Sequence, residues 1–437
     1  MRLVKTVHGI LVPYIIWDNV RRFWYFLIVK KYKGLKQYDT FISNIKTKEK
    51  IKVAFFIVRE AVWKLDELYW LMKRSQRFEP LVVICPWVEA SNRSFTLEEI
   101  NKVAAFCREK GYDFISTYND ESGDWIDIKR LIQPDIVFFS YPYFSFMRKE
   151  YCITNFVDIS LTCYATYGYN LDRKPYRQFN ILFHNLMWKG FYETSVHKMM
   201  AEKYAYNKGR NVEVAGYPLF DEFKKAEKQG IKDVWKIKDR RMKRIIWAPH
   251  HTFDGVKGET QFSCFLYYAQ FMLDLADLYC DRIQIAFKPH PTLKPKLLRW
   301  WGEDETNRYY EKWQMLANGQ LEEGEYVHLF LTSDAMIFDS VSFICEYMYS
   351  GKPSLFTVIE TKTSPQFNEF GEMAYQCLYH SHAEDDIKGF IENVVLTDND
   401  PMKQERSQFF EQYLTSPNNS TASQNIYNYL ESQLALV

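Results

Sequence analysis

The sequence predicts an α/β protein of two lobes, each a parallel sheet covered by helices. Three observations carry this: continuous apolar runs alternate with helix-length charged stretches, the alternation occurs in both halves, and a lysine-rich stretch separates them. The first half has apolar runs at 51–58, 81–87, 113–118, 135–141 and 179–183. The second has them at 244–248, 282–288, 327–331, 335–338 and 354–358. Strands that are apolar throughout, rather than at alternate positions, are those buried on both faces. Thr96 followed by Glu99 reads as a capping box that opens a helix running to Lys110. The stretch 224–243, after the turn-like Gly216-Tyr217-Pro218, is a linker by composition and puts a boundary near residue 235. The expected divisions are a basic amphipathic segment over 1–45, one α/β domain over 46–235, a second over 236–405, and closing helices over 406–437 that could return to the first domain.

Length and composition agree with two domains. A chain of 437 residues, 47% hydrophobic and 25% charged, buries two ordinary cores more readily than one. Aromatic residues make up 17%, while 17 Gly and 15 Pro are too few for a disordered or fibrous chain. The net charge of +1 conceals an asymmetry: residues 1–50 hold eleven Lys or Arg against three Asp or Glu. Only this arm is basic, which points to an anionic membrane surface and away from nucleic acid. The run from Ile10 to Val29 is interrupted by Asp18, Asn19, Arg21 and Arg22, so it is expected neither to span a membrane nor to be cleaved. Trp17, Phe23, Trp24, Tyr25 and Phe26 beside Arg21, Arg22, Lys30, Lys31, Lys33 and Lys36 suit an interfacial helix, or equally one packed on the first domain. The eight cysteines form no CxxC pair, which excludes a zinc ribbon and fits reduced thiols in cytoplasm.

Candidate chemistry sits where apolar runs end. In a parallel sheet, ligands lie beyond the carboxyl ends of the strands. The run ending at Phe287 is followed by Lys288-Pro289-His290-Pro291, a cation and an imidazole in a proline-fixed loop, suited to phosphate. Asp339, Ser340 and Ser342 lie at a strand-to-helix turn, where hydroxyls and free amides favour an anion, and Glu346 two turns on could accept from ribose hydroxyls. Capping the helix is a compatible role for Asp339 and Ser340. After the strand at 244–248 come His250 and His251. Metal is the poorer reading of that pair, since adjacent side chains in extended backbone point oppositely and no third ligand stands at a recognisable spacing. In the first half His184 follows an apolar run and reads as the natural general base or, equally, as a hydrogen-bonded structural histidine, with Lys189 close behind it.

These sites, in this order, resemble the CDP-glycerol glycerophosphotransferase family, the makers of teichoic-acid poly(glycerol phosphate). The resemblance covers about residues 175–360. His184 and Lys189 keep the spacing of a family His-Gly-x-Pro-Leu-Lys element, with Asn185 in the glycine's place. Gly216-Tyr217-Pro218 and Asp221 match its Gly-Tyr-Pro-x-x-Asp turn, and His290-Pro291 its His-Pro. Ala248 and Pro249 remain of an Ala-Pro-Thr-x-Arg element, with His250 and Thr252 replacing the threonine and arginine. Asp339, Ser342 and Glu346 follow its aspartate- and serine-containing turn, with Ser340 shifted.

The resemblance implies a GT-B-like fold of two Rossmann-like domains facing across a cleft. It implies a CDP-linked donor such as CDP-glycerol, attack by an acceptor hydroxyl on the donor's β-phosphorus, release of CMP, and no metal or other cofactor. His184 would then deprotonate the acceptor, and Lys288, His290, Ser340 and Ser342 would meet the phosphates, with His250 beside them. The acceptor would be lipid-linked or a polysaccharide, at the inner face of the cell membrane. A GT-B glycosyltransferase using a CMP- or UDP-sugar is the nearest alternative. A nucleotide-sugar epimerase of related fold and a non-catalytic nucleotide-binding protein are the others.

Overall fold

The structure, a computed structural model, describes residues 4–7, 10–13, 20, 23, 27, 36–88, 93–143, 147–253, 262–358 and 367–436. Two short strands, β1 (Val4–Val7) and β2 (Ile10–Pro13), pair antiparallel. The amphipathic helix expected over the rest of the arm lies outside the described residues. Among the described residues no helix is long and apolar enough to cross a membrane.

The chain forms two compact units, the first comprising 1–170, 174–219 and 416–437 and the second 171–173 and 220–415. In the first, β3 (Ile51–Ile57), β4 (Phe78–Ile84), β5 (Phe114–Ser116), β6 (Ile136–Phe139), β7 (Leu161–Ala165), β8 (Lys189–Tyr192) and β9 (Val212–Val214) make a seven-stranded sheet. All its pairings are parallel, in the order β5-β4-β3-β6-β7-β8-β9. Its core holds Val53, Phe55 and Phe138 from the sheet, Leu68 and Tyr69 from one helix, and Ile426, Leu430 and Leu434 from the chain's end. The helix Ala422–Gln433 is fixed there by Asn425 Nδ2 donating to the Ala215 carbonyl at 3.0 Å. Gly216, at φ +98°, lies so close to the returning chain that a Cβ would sit 2.3 Å from Ser416 Oγ. The Gly-Tyr-Pro turn thus needs its glycine for packing.

In the second unit, β10 (Lys243–Ala248), β11 (Ile283–Phe287), β12 (Gly319–Leu321), β13 (Ala335–Phe338), β14 (Ser354–Thr357) and β15 (Tyr379–Ser381) run β12-β11-β10-β13-β14-β15, again all parallel. Trp247, Phe265, Phe287 and Trp313 stack at its centre, with Trp247 4.9 Å from Phe287 and 5.5 Å from Trp313. Both sheets have the strand order of a doubly wound Rossmann-like fold.

Several expected elements differ. The run 179–183 is not a strand but the junction of two short helices, Pro175–Phe179 and Leu182–Leu186, the first opened by Pro175. Likewise 327–331 lies in the helix Val327–Thr332. Short apolar runs do not distinguish buried strand from buried helix by periodicity. The strand β8 went unread because Lys189 and Gly190 interrupt its apolar signal; a Cβ on Gly190 would sit 2.3 Å from Met187 Cε. The helix expected from Thr96 begins at Arg93, so Thr96 is buried inside it and Glu99 pairs with Arg59 instead of closing a cap. The units divide between 219 and 220, not near 235, because the lysine-rich stretch opens as the helix Leu219–Gln229, whose Phe220 and Phe223 pack on Tyr349 at 5.0 and 4.7 Å.

Candidate active site

In the second sheet the chain leaves β10 toward β11 on one side and reaches β13 on the other, so the loops after β10 and β13 diverge. That topological switch point opens a crevice at the carboxyl ends. Three loops meet it: Pro249-His250-His251-Thr252 after β10, Lys288-Pro289-His290-Pro291 after β11, and Asp339-Ser340 after β13.

Asp339, expected among the donor contacts, is only 1% exposed. Its carboxylate accepts the backbone amide of His250, and its Oδ2 accepts that of Cys264 at 2.6 Å. It therefore positions the His250 loop from beneath. Ser263 Oγ donates to the His250 carbonyl at 2.7 Å, and His250 Nδ1 lies 3.1 Å from Thr252 Oγ1. Asp339→Asn would turn one amide acceptor into a donor facing an N–H. The expected result is a loss of roughly 2 kcal/mol of second-unit stability in urea unfolding, and a change under 0.5 kcal/mol would show that the carboxylate is not what holds the loop.

His250, His251 and His290 form one cluster. The ring centroids are 4.2 Å apart for His250 and His251, 4.3 Å for His251 and His290, and 4.8 Å for His250 and His290. Phe262 stacks on His250 at 4.9 Å. No third ligand stands at a recognisable spacing in the sequence, but the fold brings one to the adjacent pair: one nitrogen of each of the three rings lies within 4.8 Å of the others. What the cluster offers is decided by a hydrogen bond. The amide of Thr292 donates to His290 Nδ1 at 3.1 Å, which leaves the proton of the neutral ring on Nε2. His290 then presents an N–H donor, which suits an oxyanion and not a cation. Loss of solvent, followed by the charges of His251, Lys296 and Lys288, lowers the His290 pKa from 6.5 to about 3. Loss of solvent and the neighbouring imidazoles hold His250 well below its usual value too.

Lys288 is 7% exposed, donates from Nζ to the Gly324 carbonyl at 2.8 Å and lies 5.4 Å from the Tyr326 ring centre. The Tyr326 hydroxyl donates to Glu346 Oε2 at 2.7 Å, so the partly exposed Tyr326 links the buried Lys288 and Glu346. Tyr326 was not legible as a site residue, since it precedes the run misread as a strand. Ser340 Oγ donates to the Ala248 carbonyl at 3.3 Å, tying the β13 loop to the end of β10. Ser342 is exposed just ahead of the helix Phe343–Met348 and makes no side-chain cap.

In the first unit, His184 is 3% exposed on the helix Leu182–Leu186, against Phe183 and Tyr164. Asn207 and Asn211 donate to its carbonyl at 3.2 and 2.9 Å, and Asn185, in the glycine's place, donates to Asn180 Oδ1 at 3.0 Å. Among the described residues nothing hydrogen-bonds His184 Nδ1. Lys189 lies on β8 and ion-pairs Glu213 at 2.8 Å. A further buried pair had no sequence signal: Glu193 follows β8 and lies 3.8 Å from His197. Burial raises Glu193 to about 8 and lowers His197 to about 3, so each is favoured neutral.

Burial lowers His184 from 6.5 to about 3. As pH falls below 6.5 the unfolded chain takes up this proton while the buried ring does not. The stability it confers is therefore intact above about pH 6.5 and is lost progressively as pH falls toward 3. Between pH 7.5 and 5.5 the wild type is expected to lose about 1 kcal/mol more than His184→Gln in urea unfolding, and equal losses would contradict the buried, neutral ring.

The model of the CDP-glycerol:poly(glycerophosphate) glycerophosphotransferase family matches residues 178–432. The chain belongs to this family. It is accordingly an enzyme, a transferase, and the non-catalytic alternative falls. No curated protein matches it. Among solved structures, a variant of the wall teichoic acid polymerase TagF is similar over 96% of this chain and 97% of its own, at 15% identity and TM-score 0.54. The S. aureus MnaA–UDP co-structure is similar over 89% and 98%, at 16% identity and TM-score 0.54. The UDP-GlcNAc 2-epimerase of Neisseria meningitidis, bound to UDP-GlcNAc, is similar over 88% and 100%, at 15% identity and TM-score 0.53. At such identities the likeness shows the fold, which is GT-B with a Rossmann-like sheet in each unit.

Proposed function

We propose that this transferase moves glycerol phosphate, or a similar polyol phosphate, from a CDP-linked donor to an acceptor hydroxyl and releases CMP in cell-envelope polymer synthesis. The observation that carries this reading is the donor set at the second unit's switch point: His290 with its proton directed to Nε2, Lys288, and Ser340 on the adjoining loop. A neutral N–H donor, a cation and a hydroxyl in one desolvated place suit a diphosphate whose charge grows during transfer. His250 stands beside them, Asp339 sets the loop, and the Tyr326–Glu346 pair is near enough to Lys288 to serve the nucleoside.

His184 takes the acceptor's proton. The donor is a substrate and the reaction needs no resident cofactor; His290, as set by Thr292, contributes a proton and not a lone pair. The TagF likeness supports a teichoic-acid-type polymer as the setting. The basic arm supports an enzyme held against the inner face of the membrane, where a lipid-linked acceptor is presented.

The test is ³¹P NMR of the full chain with membranes and CDP-glycerol, CDP-ribitol, CMP-sialic acid or UDP-N-acetylglucosamine. CMP from a CDP-polyol, with a new phosphodiester signal, is the expected result. Turnover of a sugar nucleotide alone would replace this reading with a glycosyltransferase or epimerase.

A further inference from the structure

The helix Leu182–Leu186, which carries His184, has five residues. A helix that short has no stability of its own, and its last carbonyls need donors from outside. Asn207 and Asn211 supply them to the His184 carbonyl, and Asn211 also donates to the Met187 carbonyl at 2.8 Å. The Leu186 carbonyl is served from far along the chain, by Tyr38 Oη at 2.6 Å. Tyr38 lies on the helix Lys36–Lys46, which overlaps the end of the basic amphipathic segment 1–45.

Tyr38 is one member of a closed ring of hydrogen bonds. Thr162, on β7, has its Oγ1 2.9 Å from Tyr38 Oη. The Tyr38 proton is committed to Leu186, so the threonine hydroxyl is the donor in that bond. Thr162 Oγ1 in turn accepts the Trp188 amide at 3.1 Å. The bonds from Trp188 to Thr162, from Thr162 to Tyr38 and from Tyr38 to Leu186 run in one direction and close around Leu186-Met187-Trp188, the link between the His184 helix and β8. Tyr38 and Thr162 are both buried, so water does not compete for these bonds. Burial also pushes the Tyr38 phenol above its usual pKa, and it keeps the proton it donates. Packing alone would be met by a phenylalanine. The hydroxyl serves a carbonyl two residues beyond His184.

We propose that Tyr38 is a positioning residue for His184: its hydroxyl sets the end of the helix that fixes the imidazole, so the close of the basic segment is part of the catalytic unit and not a detachable anchor. This rests on the general-base reading of His184 given above.

The test is Tyr38→Phe in the full chain, which removes one oxygen atom and keeps the ring. With the donor that the wild type turns over, kcat is expected to fall roughly tenfold while donor KM and CMP affinity stay within twofold. Hydrogen–deuterium exchange should rise over 182–188 and stay at wild-type values in the other strands of the first sheet. Thr162→Val should reproduce both effects, and Thr162→Ser, which keeps the hydroxyl, should restore wild-type behaviour. In a His184→Ala background Tyr38→Phe should lower kcat no further, since it acts through the ring already removed. A Tyr38→Phe enzyme with kcat within twofold of wild type, an equal fall in the His184→Ala background, or exchange raised across the whole first sheet would each overturn the proposal. Failure of the general-base reading has a separate signature, a His184→Ala enzyme with unchanged kcat, and would overturn this inference with it.

Discussion

His290→Ala is expected to lower kcat/KM for the polyol-phosphate donor by roughly 10²–10³, the effect of removing one fixed donor to developing charge. Three features of the chain fix that donor. Pro289 and Pro291 flank the residue and limit the loop. The Thr292 amide occupies Nδ1 and so directs the proton to Nε2. The rings of His250 and His251 confine the imidazole, and burial, followed by the charges of His251, Lys296 and Lys288, opposes its protonation. The effect should fall on kcat more than on donor KM, because the phosphate charge to be offset grows in the transition state. His290→Asn, which keeps an N–H on a shorter arm, should recover part of the loss. A His290→Ala enzyme within threefold of wild type in steady-state kinetics would mean that the phosphate is held elsewhere.

His184→Ala is expected to lower kcat by roughly 10²–10⁴ with little change in donor affinity, as befits the loss of a general base. The ring is buried and neutral across the working pH range, and its Nδ1 has no partner among the described residues. A buried polar atom left without a partner costs about 1–3 kcal/mol. A ring lowered to about 3 is a weak base in the free enzyme. The pH profile of kcat/KM, which reports the free enzyme, should therefore show no limb near 6.5 from this residue. Rapid-quench turnover with isothermal titration of CMP separates the two effects. Unchanged kcat in a folded variant would leave His184 a structural residue.

Much of this was legible in the sequence because strand ends are chemically distinct from strands. Lys288-Pro-His-Pro, Ala248-Pro-His and Asp339-Ser each follow a continuous apolar run, and in a parallel sheet that suffices to place them at one edge. What depended on three-dimensional closure was not legible. Asp339 reads as a ligand until its oxygens are seen on the amides of His250 and Cys264. The third histidine of the cluster comes from another strand, forty residues or so along the chain from the adjacent pair, and spacing rules for metal or anion sites do not reach across a sheet. The helices Leu182–Leu186 and Val327–Thr332 differ from the strands expected there because a short, mostly apolar run fits either period.

The central claim is that the donor's diphosphate binds at the second unit's switch point, and a crystal structure of the full chain with CDP-glycerol tests it most directly. The account predicts phosphate oxygens within hydrogen-bonding distance of His290 Nε2 and the Ser340 side chain, with Lys288 next to them. A diphosphate seated away from the loops after β10, β11 and β13 would contradict it.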